Sequence, residues 1–527
     1  MKNEKSLVLF YLPILALPVL TNTALLLMNS MGFHFEALIP SANDELQWWQ
    51  LVNDFLRYGG TLGNIGYNGS YARIGSFGPW GLAPLLPYAL FGKVFGWELN
   101  SMCIANMVFL SVSLYFFCVL AKPDRKQLKW VVIMYLCSFI TIRYSLSSMS
   151  EGLRYSTGII LTGTALWLKR NQIDIRKAGK KKIILFFGII VYLFFAINIY
   201  LIFALMAWVI IWLILYGLKP FARGVICFIG TFLLAAVSYI IVQNTSAPYF
   251  YSTPGNVLKV FETEGIFPGV SFLVDTFFKN LETVSLFELL RQSSNILQWY
   301  FLEYILVMVA LAVKILGWIS PNADLGKRNC FVQARLENYF LAFFLMSGFL
   351  VSYCALKSNY DWDLCRGTNT AMLMALLLIA MEPRRFDGKA VYDMKLVVLI
   401  ITVLGISPIW SCYGKMLEDK SRNINIIEEI IDEKKKLENI IYISQDNDKW
   451  ENTVAQYGFY DRYYLSLPNG TGLNMMRGFV LNENARYAMF RTDDPEEDRE
   501  IWHEMLSESG HELIFQDDIF FVYKKRE

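Results

Sequence analysis

The sequence predicts a polytopic α-helical membrane protein of about eleven transmembrane helices, followed by a C-terminal exoplasmic α/β domain. Three observations predict it. Of 527 residues, 55% are hydrophobic and only 18% charged, with a mean hydropathy of +0.37, whereas soluble domains carry about 25% charged residues. Apolar runs long enough to cross the roughly 30 Å hydrocarbon layer recur up to residue 412. Beyond it the composition reverses: 15 basic against 24 acidic residues leave the tail at −9 and the first 412 residues at +11.

Composition also excludes several classes. Glycine and proline, 34 and 16 residues, are too few for a collagen-like or low-complexity chain. The eight cysteines form no CxxC pair, and His34, His503 and His511 are scattered, so neither a zinc ribbon nor an iron–sulfur protein is expected. No nucleic-acid partner is expected either.

The first span, 6–28, follows Lys2 and Lys5 and lacks a small-residue cleavage site, which marks a retained signal anchor. Further spans are expected at 100–121, 130–148, 152–168, 183–197, 200–218, 224–243, 296–318, 339–356, 368–381 and 395–412. With the amino terminus in the cytoplasm, the alternate loops facing inward hold about 22 Lys and Arg, and the outer loops about nine. This sets a multi-pass protein with its tail domain outside, and the ending Tyr523-Lys-Lys-Arg-Glu527, which is no Lys-Asp-Glu-Leu retention signal, leads to the plasma membrane as the expected location. The apolar segment 82–97 contains Pro84 and Pro87, and a crossing there would turn every later basic loop outward. It reads as an interfacial helix closing a first exoplasmic loop, 29–99; a second large one spans 244–295 and a short one 357–367. The membrane domain is thus 1–412. The exoplasmic domain, 413–527, is expected to hold a charged helix at 423–437, strands at 439–444 and 485–490, a helix at 495–509 and a strand pair near 512–515 and 519–523.

Directly after the first span comes Ser41-Ala-Asn-Asp-Glu-Leu-Gln-Trp-Trp-Gln50, the start of a helix reaching about Tyr58 with Trp48, Trp49, Val52, Phe55 and Leu56 on one side. Such a helix would lie on the membrane with its indoles at headgroup level. Asp44 and Glu45 stand at its amino end. As helix-start acids they complement the dipole of a helix capped by Ser41 or Asn43. At the outer lipid face, flanked by aromatics, they also stand where a general base would deprotonate a hydroxyl attacking a lipid-linked donor.

An acidic pair opening the first outer loop, the glycine-rich stretch 59–70, a proline-containing interfacial helix and then the second crossing resemble the GT-C fold of polyprenyl-phosphate-sugar-dependent glycosyltransferases. Protein O-mannosyltransferases and lipid A aminoarabinose transferases are its familiar branches. The resemblance spans roughly residues 1 to 412 but its diagnostic motif is short. It implies that Asp44 is the catalytic base and Glu45 its neighbour or alternate. Gly75-Ser-Phe-Gly-Pro-Trp-Gly-Leu-Ala-Pro84 departs from the family: mannosyltransferase-like members often carry His-Pro-Pro-Leu there, and this chain has no histidine in it.

The glycines of 59–70 are no nucleotide loop, since neither a Lys-Ser/Thr nor a strand-to-helix setting accompanies them. Tyr67, Asn68, Tyr71 and Arg73 become candidate substrate contacts, in a stretch that equally suits an ordinary turn. A departing polyprenyl phosphate needs cations at the outer face, and arginine's forked head suits it. Arg366, Arg73, Arg143 and Arg154 fall on that side. Arg143 lies inside an apolar span, where an ion marks either function or snorkelling to the headgroups. Glu151 pairs with Arg154 or meets substrate. Arg366 lies in Asn359-Tyr-Asp-Trp-Asp-Leu-Cys-Arg-Gly-Thr-Asn369, resembling an aromatic-Asp-hydrophobic-Arg run of GT-C-like exporters of cell-surface glycans. Asp361 and Asp363 spell DxD, which in many glycosyltransferases holds a divalent metal; the pattern recurs by chance, so no cofactor is expected and this pair is the candidate place for one.

The implied activity is transfer of a sugar from a polyprenyl phosphate to a glycan, lipid or polymer acceptor, with inversion. Two other classes share the span count. A polysaccharide polymerase or ligase would rely on loop arginines without the acid after the first helix, and a flippase or transporter of lipid-linked sugars would show two similar halves, which this sequence lacks.

Overall fold

The computed structural model describes residues 9–29, 43–60, 81–170, 263–283, 296–319, 330–356, 362–382, 393–421, 439–443, 463–467, 485–492, 495–516 and 520–526, with isolated positions between them. The spans expected at 183–197, 200–218 and 224–243 and the tail helix at 423–437 lie outside these residues apart from such positions.

In the segment expected as the first span, a 3-10 turn, Leu12–Ala16, runs into α1, Leu17–Met28. Pro13 and Pro18 each stand within the first two positions of their segment, where a missing N–H is harmless. Two helices follow before the next long span: α2, Asn43–Tyr58, and α3, Leu82–Phe95, the latter bracketed by Gly81 and Gly96, both at positive φ. The aromatic side of α2 was expected to face headgroups; instead Trp48 and Trp49 are buried in protein. The Trp49 indole stacks on Trp97 and donates to the Glu98 carbonyl at 2.9 Å, a partner that a buried indole N–H requires. On α3 it is Leu86, Leu90 and Val94 that point outward, an i, i+4, i+8 apolar stripe.

Then come α4, Ser101–Ala121; α5, Arg125–Cys137; α6, Phe139–Ser145; and α7, Glu151–Arg170. Asp124 and Gln127 form a reciprocal capping box at the start of α5. The single crossing expected at 130–148 is a pair, α5 and α6, bent by 70° at Ser138. The Ser138 hydroxyl bonds to that of Thr141 at 2.7 Å, a local alternative to the helical ladder.

Before the tail the remaining described helices are α8, Ile266–Thr283; α9, Ile296–Ile319; α10, Cys330–Leu356; α11, Trp362–Ala380; α12, Met394–Leu404; and α13, Ile406–Ser421. The segment expected as a second outer loop, 244–295, therefore contains a full helix, α8, joined to α10 by the Asn280 amide donating to the Cys354 carbonyl at 2.8 Å. The span expected at 395–412 is likewise broken, by 56° between α12 and α13. Pro408 has no N–H to offer the Leu404 carbonyl, and the Trp299 indole occupies the place a Cβ on Gly405 would take. The last helix runs on to Ser421, past the composition boundary at 412. Among the described residues, Ser101–Ala121 and Ile296–Leu316 are long and apolar enough to cross a membrane as single helices, and the two bent pairs are so when each is taken whole.

Packing puts three helices parallel. Gly152 and Gly163 of α7 face Asn106 and Phe117 of α4, so equal steps along both helices keep them in register, with glycine allowing the close approach. Tyr155 and Gly158 of α7 face Arg366 and Thr370 of α11. The amino ends of α4, α7 and α11 consequently meet at one end of the bundle.

The tail forms a five-stranded sheet, β1 Asn439–Ile443, β2 Tyr463–Leu467, β3 Ala485–Arg491, β4 His511–Gln516 and β5 Phe520–Lys525, in order β2-β1-β3-β5-β4. The first three are parallel and β5 is antiparallel to β3 and β4. Strand β2 is an addition to the expected elements. Helix α14, Glu496–Glu508, buries Trp502, Met505 and Leu506, with Trp502 edge-on to Phe490 of β3.

Candidate active site

At the end where α4, α7 and α11 begin, the chain from Leu146 to Ser150 makes a buried turn between α6 and α7. Its backbone is held from behind by α4. The Asn106 amide donates to the carbonyls of Ser147 and Met149 at 2.9 and 2.7 Å, and Cys103 Sγ lies 3.2 Å from the Leu38 carbonyl and 3.4 Å from that of Leu146.

The groups expected to do chemistry gather on this turn. Glu45, buried at the start of α2, accepts from the Ser148 N–H at 3.3 Å. Glu151 and Arg154, both buried, pair at 3.3 Å one turn apart in the opening of α7. The Arg366 guanidinium stands 3.8 Å from Met149 Sδ, and its carbonyl accepts from the Tyr155 hydroxyl at 3.2 Å. Arg143 of α6 lies over the Tyr144 ring, 5.5 Å from its centroid, and Tyr144 packs edge-on against Tyr155. Five candidates, Glu45, Arg143, Glu151, Arg154 and Arg366, thus come from four helices to one place.

Others cannot be placed. Asp44 is in the first turn of α2 and Asp363 in that of α11, but their side chains lie outside the described residues, as do Tyr67, Asn68, Tyr71, Arg73 and Asp361 entirely. Arg366 differs from expectation in its setting: α11 begins at Trp362, so the arginine is helical, one turn in, and not in a loop. Among the described residues no group of three or more His, Cys, Asp or Glu could hold a metal ion.

Electrostatically the place favours an anion. Three helix amino ends converge there, each carrying roughly half a positive charge, with N–H groups free of intrahelical partners. Arginines of three helices add full charges, against the carboxylates of Glu45 and Glu151. Glu151 spends one oxygen on Arg154; its Oε2, and the Ser150 hydroxyl beside it, are buried with no hydrogen-bond partner among the described residues. Buried polar atoms left so are uncommon and expensive, at about 1–3 kcal/mol each.

Asn106, Tyr88 and Met149 escape sequence reasoning. The signal for Asn106 was present, an amide inside the apolar run of α4. Hydropathy averages it away.

No protein-family model matches the chain, and no curated protein matches it. Among solved structures it is similar to ArnT from Cupriavidus metallidurans bound to undecaprenyl phosphate, at 10% identity and a TM-score of 0.45, covering 98% of this chain and 97% of that one. It is also similar to the apo state of the same protein, at 10% identity and a TM-score of 0.40, covering 96% and 97%. Likeness at this level assigns neither activity nor ligand.

Proposed function

We propose that the chain is a membrane glycosyltransferase of the GT-C type, transferring a sugar from a polyprenyl phosphate to a hydroxyl of a glycan, lipid or polymer acceptor at the exoplasmic membrane face. One observation carries the reading: a buried acid from the first loop and arginines from three helices meet at a single turn, where three parallel helices begin. A binding site for a lipid-borne anion beside a proton acceptor needs those parts.

In the proposed reaction the acceptor hydroxyl gives its proton to the Asp44 carboxylate as its oxygen bonds to the anomeric carbon. The anomeric carbon–phosphate oxygen bond breaks, and polyprenyl phosphate departs with both electrons of that bond. Attack opposite the leaving group inverts the anomeric centre. Arg366, with Arg143 and Arg154 near it and Arg73 from the first loop, would meet the phosphate, where preorganised charge stabilises the transition state more than the ground state. Glu45, oriented by the Ser148 N–H, would stand beside the base as its alternate. Glu151 Oε2 and the Ser150 hydroxyl would bond sugar hydroxyls, with Tyr67, Asn68 and Tyr71 from the first loop. No cofactor enters the proposal; should chelation abolish transfer, Asp361 and Asp363 are the residues to change first. The amino terminus would be cytoplasmic and the tail exoplasmic, in the plasma membrane.

The test is transfer by the purified full chain in detergent, from a polyprenyl-phosphate sugar to a hydroxyl acceptor. Asp44→Asn should lose nearly all transfer. A polymerase or ligase would tolerate that substitution, and a flippase would transfer nothing without a membrane. Either result sinks the proposal.

A further inference from the structure

Asn106 is fully buried in α4, and its side-chain amide uses both N–H groups and its oxygen. Its two N–H bonds go to the Ser147 and Met149 carbonyls at 2.9 and 2.7 Å, and its Oδ1 accepts from the Tyr88 hydroxyl at 2.6 Å. Tyr88 belongs to α3, the helix with an apolar stripe facing out, and is itself fully buried. One amide therefore ties three elements together: α3, α4 and the turn.

What hangs on that turn is the chemistry. Between the two carbonyls that Asn106 holds lies Ser148, whose N–H orients Glu45. Met149, whose carbonyl is the second, carries the sulfur against Arg366. Two residues on, Glu151 opens α7. A second feature constrains the same amide from the opposite side. A Cβ on Gly152 would sit 2.5 Å from Asn106 Cγ and 2.6 Å from its Oδ1, so the residue after Glu151 lacks a side chain where the amide lies.

We propose that Asn106 is a positioning residue of the transfer reaction and that Tyr88 is the contact through which α3 sets it. The role rests on the function proposed above and assigns neither residue a touch on substrate. The pair fixes the separation between the acid side, Glu45, and the cation side, Arg366, through a turn that contacts both. A misplacement of about 1 Å between reacting groups can cost a hundredfold in rate, and such a loss falls on the chemical step more than on binding.

The experiment compares the full chain with Tyr88→Phe, Gly152→Ala and Asn106→Asp in detergent, measuring kcat and KM for the polyprenyl-phosphate sugar together with thermal melting. Tyr88→Phe deletes the hydroxyl that Asn106 Oδ1 accepts from, so melting should fall modestly, while kcat per folded molecule should drop about tenfold with KM within about twofold. Gly152→Ala drives a Cβ to 2.5 Å from the buried amide, so melting should fall as well, while kcat per folded molecule should drop about tenfold with KM within about twofold. Asn106→Asp turns an oxygen toward a carbonyl and should cost most, about a hundredfold or more; if it fails to fold, the two milder variants still decide. An active wild type whose Tyr88→Phe and Gly152→Ala variants keep kcat overturns this inference alone, as does a loss confined to KM or one that follows melting in proportion. A wild type without transfer on any lipid-linked sugar overturns the inference and the proposed function together.

Discussion

The two ends of the helix bundle each bury an ion pair, and they use it differently. At the end away from the candidate site, Glu382 follows α11 and Lys395 stands in α12, 3.8 Å apart. Tyr339 of α10 donates to Glu382 at 2.8 Å, Lys395 lies 5.7 Å from the centroid of the Trp130 ring of α5, and Gln127 of α5 donates to the Met381 carbonyl at 3.1 Å. Four helices are joined by partners far apart in sequence. Glu382 thus sets Oε1 against Tyr339 and Oε2 against Lys395. At the site end, Glu151 and Arg154 are three residues apart on one helix; the arginine meets Glu151 Oε1, and Oε2 and the Ser150 hydroxyl have no hydrogen-bond partner among the described residues. A pair that joins distant segments holds the fold. A local pair with capacity to spare is suited to receiving something else.

The contrast can be broken at several points. The largest effect is expected from Arg366→Ala, which should cut transfer by about 10²–10³-fold, the scale on which a preorganised charge acts on a leaving group, while melting in detergent barely moves. A large fall in melting temperature would put Arg366 with the structural pairs. Glu382→Ala should do the reverse, stranding Lys395 and destabilising the chain by roughly 3–5 kcal/mol. Replacing both, Glu382→Leu with Lys395→Met, should restore most of that stability, and activity per folded molecule should stay near wild type. Ser150→Ala removes a buried hydroxyl without a described partner, so melting should hold or rise slightly while acceptor KM increases a few-fold; a clear loss of stability would mean the hydroxyl is structural.

The smallest effect lies in the tail. Burial, and then Arg499, lower the pKa of His503 from 6.5, and the ring is wedged against Phe490, Phe521 and the Tyr523 hydroxyl. The folded domain prefers the neutral ring, so as pH falls the unfolded chain takes up the proton first. The contribution is complete above about 6.5 and is lost as pH falls from there toward the lowered folded value. Melting of the tail followed between pH 7.5 and pH 5.5 should show the decline, and His503→Phe should flatten it; an unchanged slope would assign the decline to other groups.

Much of the helical layout was legible because apolar runs and charged boundaries are strong signals. The tail strands at 439–443 and 485–491 and the helix at 496–508 could be read directly. The bends were not. Hydropathy averaged over a window runs straight through Ser138 and Gly405, although Pro408 signalled the second break. Strand β2, Tyr463–Leu467, lies near Pro468, Asn469 and Gly470, whose turn character masked it. In the site, residue types pointed to Glu45, Glu151, Arg154 and Arg366, because carboxylates and guanidiniums beside a membrane stand out. Their convergence was not readable: hydropathy orders helices along the chain and says nothing of which are neighbours. Nor does it show that Trp48 and Trp49 turn inward, since indoles suit a headgroup layer and a protein core alike.

The indole of Trp299 fills the space beside Gly405 that any other residue's first side-chain carbon would claim. Neither position can drift alone. In descendants or relatives of this chain, alanine or larger at 405 should coincide with a slimmer residue at 299, and where the glycine is lost without that exchange the elbow between α12 and α13 should straighten.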